Sequence, residues 1–415
     1  MIRASSLFYS LMVSLLLGAL LSAVILSAHL RSALTERWLA YNAARDEAYS
    51  ALGTELLQGS VLHATTDSLI MFSASEHCTV ISHSAWGLFD IRTGKGQQAD
   101  QRISRSALIG WRCDPMAPSL WIADKNEPIS LAGEVRLTGA CYLPERGLSR
   151  AYIEGRPYSG SLMLADQHVS AASLPPLSEH LQQRIALFRD DVRRTEATTL
   201  WSAIIQDSIS VAFSESPLVT DLSGTRELSR SRVDGHILLL SPDSVRITSS
   251  FRCSGIIICA PHITIASGFV GDLQCFTRFG VLVEDDARLN YPSALVSTGG
   301  DSVHTATISI GERSTLEGAV IGCHPGPNAK AVTVEFNSGC VFDGELWNDG
   351  PVQLHGSISG TVVANSVVLR TPSSVYRGHI MDVLLGPSRH REQVGTGIWG
   401  YQSEPAVVRW LDRHG

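Results

Sequence analysis

The sequence predicts a mainly β protein: an N-terminal transmembrane helix with an amphipathic stalk, then a β-rich unit and a parallel β-helix (solenoid) with a helical insertion. Three observations carry this. No Asp, Glu, Lys or Arg occurs from Ala4 to Leu30. Short apolar triplets recur from His236 onward at a loose period of about 20 residues. Charged residues make up only 18% of the chain while glycine is frequent, at 35, a profile that favours β structure rich in turns.

A helix needs about 20 apolar residues to cross a bilayer core, so the N-terminal run is long enough to serve as an anchor over residues 1–30. Beyond Arg31 the apolar positions Leu34, Trp38, Tyr41, Ala48 and Leu52 fall three and four apart, with Glu36, Arg37, Asp46 and Glu47 off that stripe. This predicts a helical stalk over 31–58, weakened at Gly53 and ended at Gly59-Ser60. Leu34, Trp38, Tyr41 and Leu52 are the candidate assembly face: Trp and Tyr suit the bilayer surface, and the same stripe suits sister helices or the chain's own β unit. A cleaved signal peptide competes, with Leu26-Ser27-Ala28 as its processing site. The length of the apolar run and its continuation into a helical pattern favour a retained single-pass anchor. Basic charge before the run is limited to Arg3 and the amino terminus, so orientation rests on the β-rich remainder, which places the bulk of the chain periplasmic or extracellular, outside an inner-membrane anchor.

Residues 60–117 read as a small β unit, with apolar runs at Ser68–Phe72, Cys78–Ile81 and Gly87–Ile91 and a turn at Gly94-Lys95-Gly96. Residues 118–165 read as first β-helix coils and 166–235 as an insertion. The insertion holds one amphipathic helix between Ser178 and Val192, with Leu181, Ile185, Leu187, Phe188 and Val192 apolar. The main β-helix is expected over 236–375. Its triplets are Val245–Ile247, Ile256–Ile258, Ile263–Ile265, Val281–Val283, Ile308–Ile310, Val332–Val334, Val352–Leu354 and Val367–Leu369. Strands so short, with turns between them, suit coils that bury their faces only against neighbouring coils. A β-sandwich is the competing architecture, though its strands are usually longer. The aromatic stretch 376–415 reads as a cap or a strand that folds back, since solenoid ends must be covered.

A net charge of -7 gives no basic footprint and argues against nucleic acid as a partner. The eight cysteines show no paired CxxC spacing, which argues against zinc; no cofactor is implied. In an oxidising compartment Cys78 with Cys113, or Cys323 with Cys340, are candidate disulfides. Glu284-Asp285-Asp286 follows a strand, and two carboxylates that straddle a glycosidic bond would cleave it; acids after a strand also simply make the turn, and no matching Arg, Lys or His favours catalysis. Glu345, Trp347 and Asp349 combine carboxylates with a ring able to stack on sugar, but a tight turn beside a packed Trp explains them equally. Cys323-His324 places a thiol beside an imidazole, yet the Pro-Gly that follows demands a loop. No catalytic residue is assigned, and the chain reads as a non-enzyme.

Arg3–Leu11 and the helical spine to Leu57 resemble the type IV pilin and type II secretion pseudopilin family, in which a membrane helix continues as an amphipathic spine into a β-rich head. The resemblance implies processing after Ala4, with Ser5 as the new first residue. That family usually has Phe at the new first position and Glu at the fifth, where this chain has Ser5 and Tyr9; some minor members lack the Glu, so the resemblance implies a minor subunit. The stretch from His236 to about Ser374 resembles parallel β-helix proteins, among them bactofilin-type scaffolds and carbohydrate-active enzymes, and such a fold does not select a function. The expected function is a non-catalytic structural or adhesive subunit of a pilin-like or secretion-associated assembly, contacting membrane lipid and other inner-membrane subunits. The alternative is a membrane-anchored carbohydrate-binding or carbohydrate-active protein with a polysaccharide partner.

Overall fold

The computed structural model describes residues 3–58, 68–74, 77–114, 116–189, 199–201, 208–300, 305–324, 330–388, 394–398 and 404–411. The chain divides into two units, one formed by Met1–His83 with Arg92–Ser106 and the other by Ser84–Ile91 with Ala107–Gly415.

In the first unit a single helix, α1 (Arg3–Gln58), runs unbroken through Gly53; the expected stop at Gly59-Ser60 lies outside the described residues. It is the one described helix long and apolar enough to cross a membrane. Large apolar side chains are exposed along it from Leu7 to Leu39. From Ala44 the helix changes character, and Ala44, Ala48, Ala51 and Leu52 are buried. The surface that buries them contains Gly94 and Gly96. A Cβ on Gly96 would lie 2.0 Å from the Ala44 carbonyl oxygen, and one on Gly94 would lie 2.4 Å from that of Ala48. The expected turn at Gly94-Lys95-Gly96 is thereby corrected: these residues are inside the strand Phe89–Gln98, and the chain reverses at Ala99-Asp100, where Ala99 has φ 50°. Glycine serves here for close approach to a helix backbone, not for a reversal. Similarly, Gly87 makes the turn between His77–Trp86 and Phe89–Gln98, at φ 61°, and does not begin a strand. Ser68–Ala74 pairs antiparallel with His77–Trp86, with Ser68 opposite Ser82, and the Arg105 guanidinium lies 5.6 Å from the Tyr49 ring centre.

The second unit is built of parallel strands in a closed ring, stacked as three columns about one core. The third column is made of most of the expected triplets: Val245 pairs with Ile263, Ile263 with Val281, Val281 with Ile308, Ile308 with Val334, Val334 with Val352 and Val352 with Val367. The expected Val332–Val334 is two residues out of step, its place taken by Val334–Phe336, and Ile256–Ile258 lies in the second column. The alternating pattern follows from the strand's period of two, which sends the outer residues of each triplet inward and the middle one out. The second column runs inward-facing through Leu239, Ile258, Cys275, Leu295, Val320, Leu346 and Val362. The first includes Val233, Cys253, Leu289, Leu316, Phe342 and Ile358. Nearly all are fully buried, as are Phe336 on the third column and Phe251 and Phe269 in the turns that follow its strands. Each such side chain contributes about 1.5–3 kcal/mol through burial. Where the first column bends into the second, Ser293, Gly318, Gly344 and Gly360 stand in register. Gly318 and Gly360 have φ 139° and 109°, and a Cβ on Gly318 would lie 1.9 Å from the Ser293 carbonyl oxygen.

Stack order differs from chain order. Leu120–Ile122 pairs with Val362–Ala364, and Ile129–Leu137 pairs with His379–Gly386. Residues 120–169 therefore extend the stack beyond its C-terminal strands and end at Gln167–Val169, paired on Cys141–Leu143. Tyr158, Leu162 and Leu164 pack on the core between these last strands. The chain then returns along the outside of the second column through α2 (Glu179–Arg189). Leu181 and Ile185 are buried there, and Phe188 stacks on Phe276 at 4.0 Å. Leu187, expected on the apolar face, is 47% exposed; Val192 lies outside the described residues. Within 166–235, Ser208–Val211, Leu218–Asp221 and Arg232–Gly235 also join the parallel columns. Near the C terminus, Pro405–Trp410 folds back antiparallel on Ala107–Trp111.

The candidate disulfide between Cys323 and Cys340 is corrected. The two thiols do not pair with each other, because Cys340 faces the core, 3.2 Å from the His355 carbonyl, while Cys323 faces outward and donates to the Ser297 carbonyl. Cys113 is a free thiol; the Cys78 side chain lies outside the described residues.

Candidate functional site

A buried polar group in the second unit centres on Glu345. It lies on Val341–Gln353, where Leu346 points into the core and Glu345 and Trp347 point out along the second column. Outward does not mean exposed here. The Thr396 backbone N–H and hydroxyl donate to Glu345 Oε2 at 2.7 and 2.8 Å, and the Cys113 thiol donates to Oε1 at 3.8 Å. Burial raises the Glu345 pKa above the carboxylate range, against the opposing pull of the Thr396 hydrogen bonds. Burial also raises the Cys113 thiol, helped by the Glu345 carboxylate. Beside them Ser388 Oγ donates to Asp343 at 2.9 Å and Tyr291 Oη donates to the Val394 carbonyl at 2.5 Å. Arg409 reaches Asp272, Ser254 and the Tyr291 carbonyl at 2.9, 3.1 and 2.7 Å. Together these bonds fasten the C-terminal segment to the outside of the stack.

The raised pKa makes a signed prediction. A buried acid whose folded pKa lies above its unfolded value loses stabilisation as pH rises from the ordinary carboxylate range through that raised value. Urea midpoints of the wild type should fall across this window relative to Glu345→Gln, which cannot ionise. Parallel curves for the two proteins would show that Glu345 does not titrate in that window.

Trp347 is buried, and its Nε1–H donates to the Pro175 carbonyl at 3.1 Å, so the segment ahead of α2 covers the ring. Asp349 accepts the His324 backbone N–H at 2.7 Å and pairs with His324 Nδ1; burial raises its pKa while His324 opposes the shift. The neighbouring thiol and imidazole of Cys323 and His324 thus have separate partners, Ser297 and Asp349. Glu284, Asp285 and Asp286 follow the third column and are held apart. Glu284 takes both Arg246 nitrogens at 2.6 and 2.9 Å, which together with the Ser267 N–H lowers its pKa. Asp285 accepts the Glu312 N–H at 2.8 Å, and Asp286 binds Arg313 at 2.9 Å, which lowers its pKa. The acids of 284–286 and those of 345–349 stand on different columns.

On α1 the candidate stripe divides. Leu34, Trp38 and Tyr41 are exposed by 64%, 64% and 40%, whereas Leu52 is buried with Ala48 in the first unit. Ala4 and Ser5 lie in the helical backbone, and their side chains lie outside the described residues. Sequence reasoning missed Cys113, Tyr291, Thr396 and Arg409, which come together from four distant segments and share no local pattern. No protein-family model, no curated protein and no solved structure matches this chain.

Proposed function

We propose that this protein is a non-catalytic, single-pass subunit of a pilin-like or secretion-associated assembly, whose parallel β-helix head lies outside the inner membrane. One observation carries the reading: α1 is continuous for 56 residues, exposed and apolar in its first part and seated on its own β unit from Ala44 onward. A helix that leaves so many large apolar side chains uncovered needs lipid or other helices around it. The exposed Leu34, Trp38 and Tyr41 continue that surface beyond the uncharged run.

Intact mass of the protein from its native membrane tests the proposal. The expected result is loss of everything through Ala4, leaving Ser5 first. Retention of the whole N terminus, or cleavage near Ala28, would each exclude pilin-type processing. A photo-crosslinker placed at Trp38 should also capture another membrane subunit; labelling of lipid alone would sink the assembly role.

A further inference from the structure

Three arginines, Arg232, Arg252 and Arg288, stand on one outward row near the low-numbered end of the first column, with Ser208 at its start and Val270 among them. Arg232 and Arg252 are direct partners on adjacent parallel strands, so their side chains leave one face about 4.8 Å apart at the backbone. Counting back from Ser254 opposite Asp272 sets Arg252 beside Val270, and Val270 is opposite Arg288. Arg288 therefore stands two strands beyond Arg252, about 10 Å along the same line. Arg230, at φ 53° on the adjoining corner, donates its N–H to Ser250 Oγ at 3.2 Å, and Arg226 lies just before it. All five side chains are exposed.

Like charges directly opposite on neighbouring strands destabilise a sheet, and the chain as a whole is acidic, at -7. Yet little here neutralises the column. Arg232 holds Asp234 at 2.7 Å, and Arg252 donates to the Ser249 carbonyl at 2.8 Å. Among the described residues Arg226, Arg230 and Arg288 hold no carboxylate. By contrast, Arg246 and Arg370 of the third column are bound to Glu284 and Glu335. Of the neighbouring acids, Glu227 is in register with Arg246, and Asp272, in register with Ser254, is held by Arg409.

We propose that this column binds an anionic polysaccharide, a linear polymer carrying carboxylate or sulfate groups at regular intervals. The charges lie in a line at multiples of the strand spacing, so the ligand that satisfies them is extended and repetitively charged. Guanidinium groups present paired donors suited to carboxylate and sulfate oxygens, and binding would remove the like-charge repulsion between Arg232 and Arg252. The Thr248 and Ser250 hydroxyls, 2.9 Å apart beside Arg230, add donors and acceptors for sugar hydroxyls. The inference goes beyond the assembly reading and does not depend on it, because it uses none of the α1 residues.

Binding of heparin and of polygalacturonate to the full-length chain in a non-ionic detergent, measured by calorimetry at low salt, tests the proposal. Wild type should bind at least one of them, weakening about tenfold or more when salt is raised beyond the screening range of exposed charges. The triple variant R230N/R252T/R288T should bind at least about tenfold more weakly, with its circular dichroism and melting unchanged, because Asn tolerates the left-handed corner and Thr suits an exposed strand. R313S, which breaks a paired arginine elsewhere, should bind as wild type does. Failure of the wild type to bind either polymer, equal binding by the triple variant, or equally tight binding of a poly-glutamate peptide would each overturn the proposal.

Discussion

Gly318→Val is expected to destabilise the parallel-strand body by about 4 kcal/mol or more, which few single substitutions reach. Two independent penalties add. At φ 139° an L side chain is strained by about 1–3 kcal/mol whatever the space around it. A Cβ there would also lie 1.9 Å from the Ser293 carbonyl oxygen, and that atom belongs to the backbone of the strand it stacks on. The strands must separate locally, which breaks the register that Gly318 shares with Gly344 and Gly360. Gly155→Ala is the comparison: its φ is 82° but nothing lies within 4 Å of the added carbon, so only the strain remains, about 1–2 kcal/mol. Urea midpoints followed by tryptophan fluorescence should separate the two variants clearly. Equal midpoints would mean that the corner can open without loss.

Gly96→Val should detach the C-terminal part of α1 from its β unit. The added carbon would meet the Ala44 carbonyl at 2.0 Å, so the helix must move away, and Ala44, Ala48 and Leu52 lose the surface that buries them. Uncovering a fully buried leucine and its neighbours costs about 2–5 kcal/mol, and the loss falls on a local opening, not on the whole chain. Hydrogen exchange at the amides of 44–52 should accelerate strongly, while protection in the second unit stays as it was. Unchanged protection at 44–52 would show that the helix holds its place without the glycine seam. Because the proposed role has this helix transmitting position from the bilayer to the head, the same variant should also impair assembly without touching the membrane-spanning residues.

The columns were legible in the sequence because each triplet carries its own instruction: an apolar residue at each end faces the core and the middle one faces out. The N-terminal helix was legible for a similar local reason, an uncharged run followed by a three-and-four spacing. Two kinds of feature were not. Gly94 and Gly96 look like turn residues in sequence, and only the approach of Ala44 and Ala48 shows that they thin a strand. Glu345 and Trp347 look like an exposed polar and aromatic pair, because their burial depends on Thr396, Cys113 and Pro175, which arrive from far along the chain. Local pattern reports which way a residue points from its strand; it does not report what another segment lays over it. For the same reason the stripe of α1 read as one surface, although Leu52 is buried and Trp38 is not.

The stacking of 120–169 on the strands 356–386 also constrains how the molecule is made. A chain that emerges N terminus first delivers Leu120–Ile122 and Ile129–Leu137 long before Val362 or His379 exist to pair with them. Those early strands must wait, unpaired along that edge, until almost the entire polypeptide has been synthesised and, on the proposed topology, translocated. Pairings so distant in sequence form slowly, and waiting edges invite wrong partners. Late-made strands thus complete the pairing of the earliest ones, and a nascent chain arrested before Gly356 would present a half-built edge for a chaperone to hold or a protease to remove.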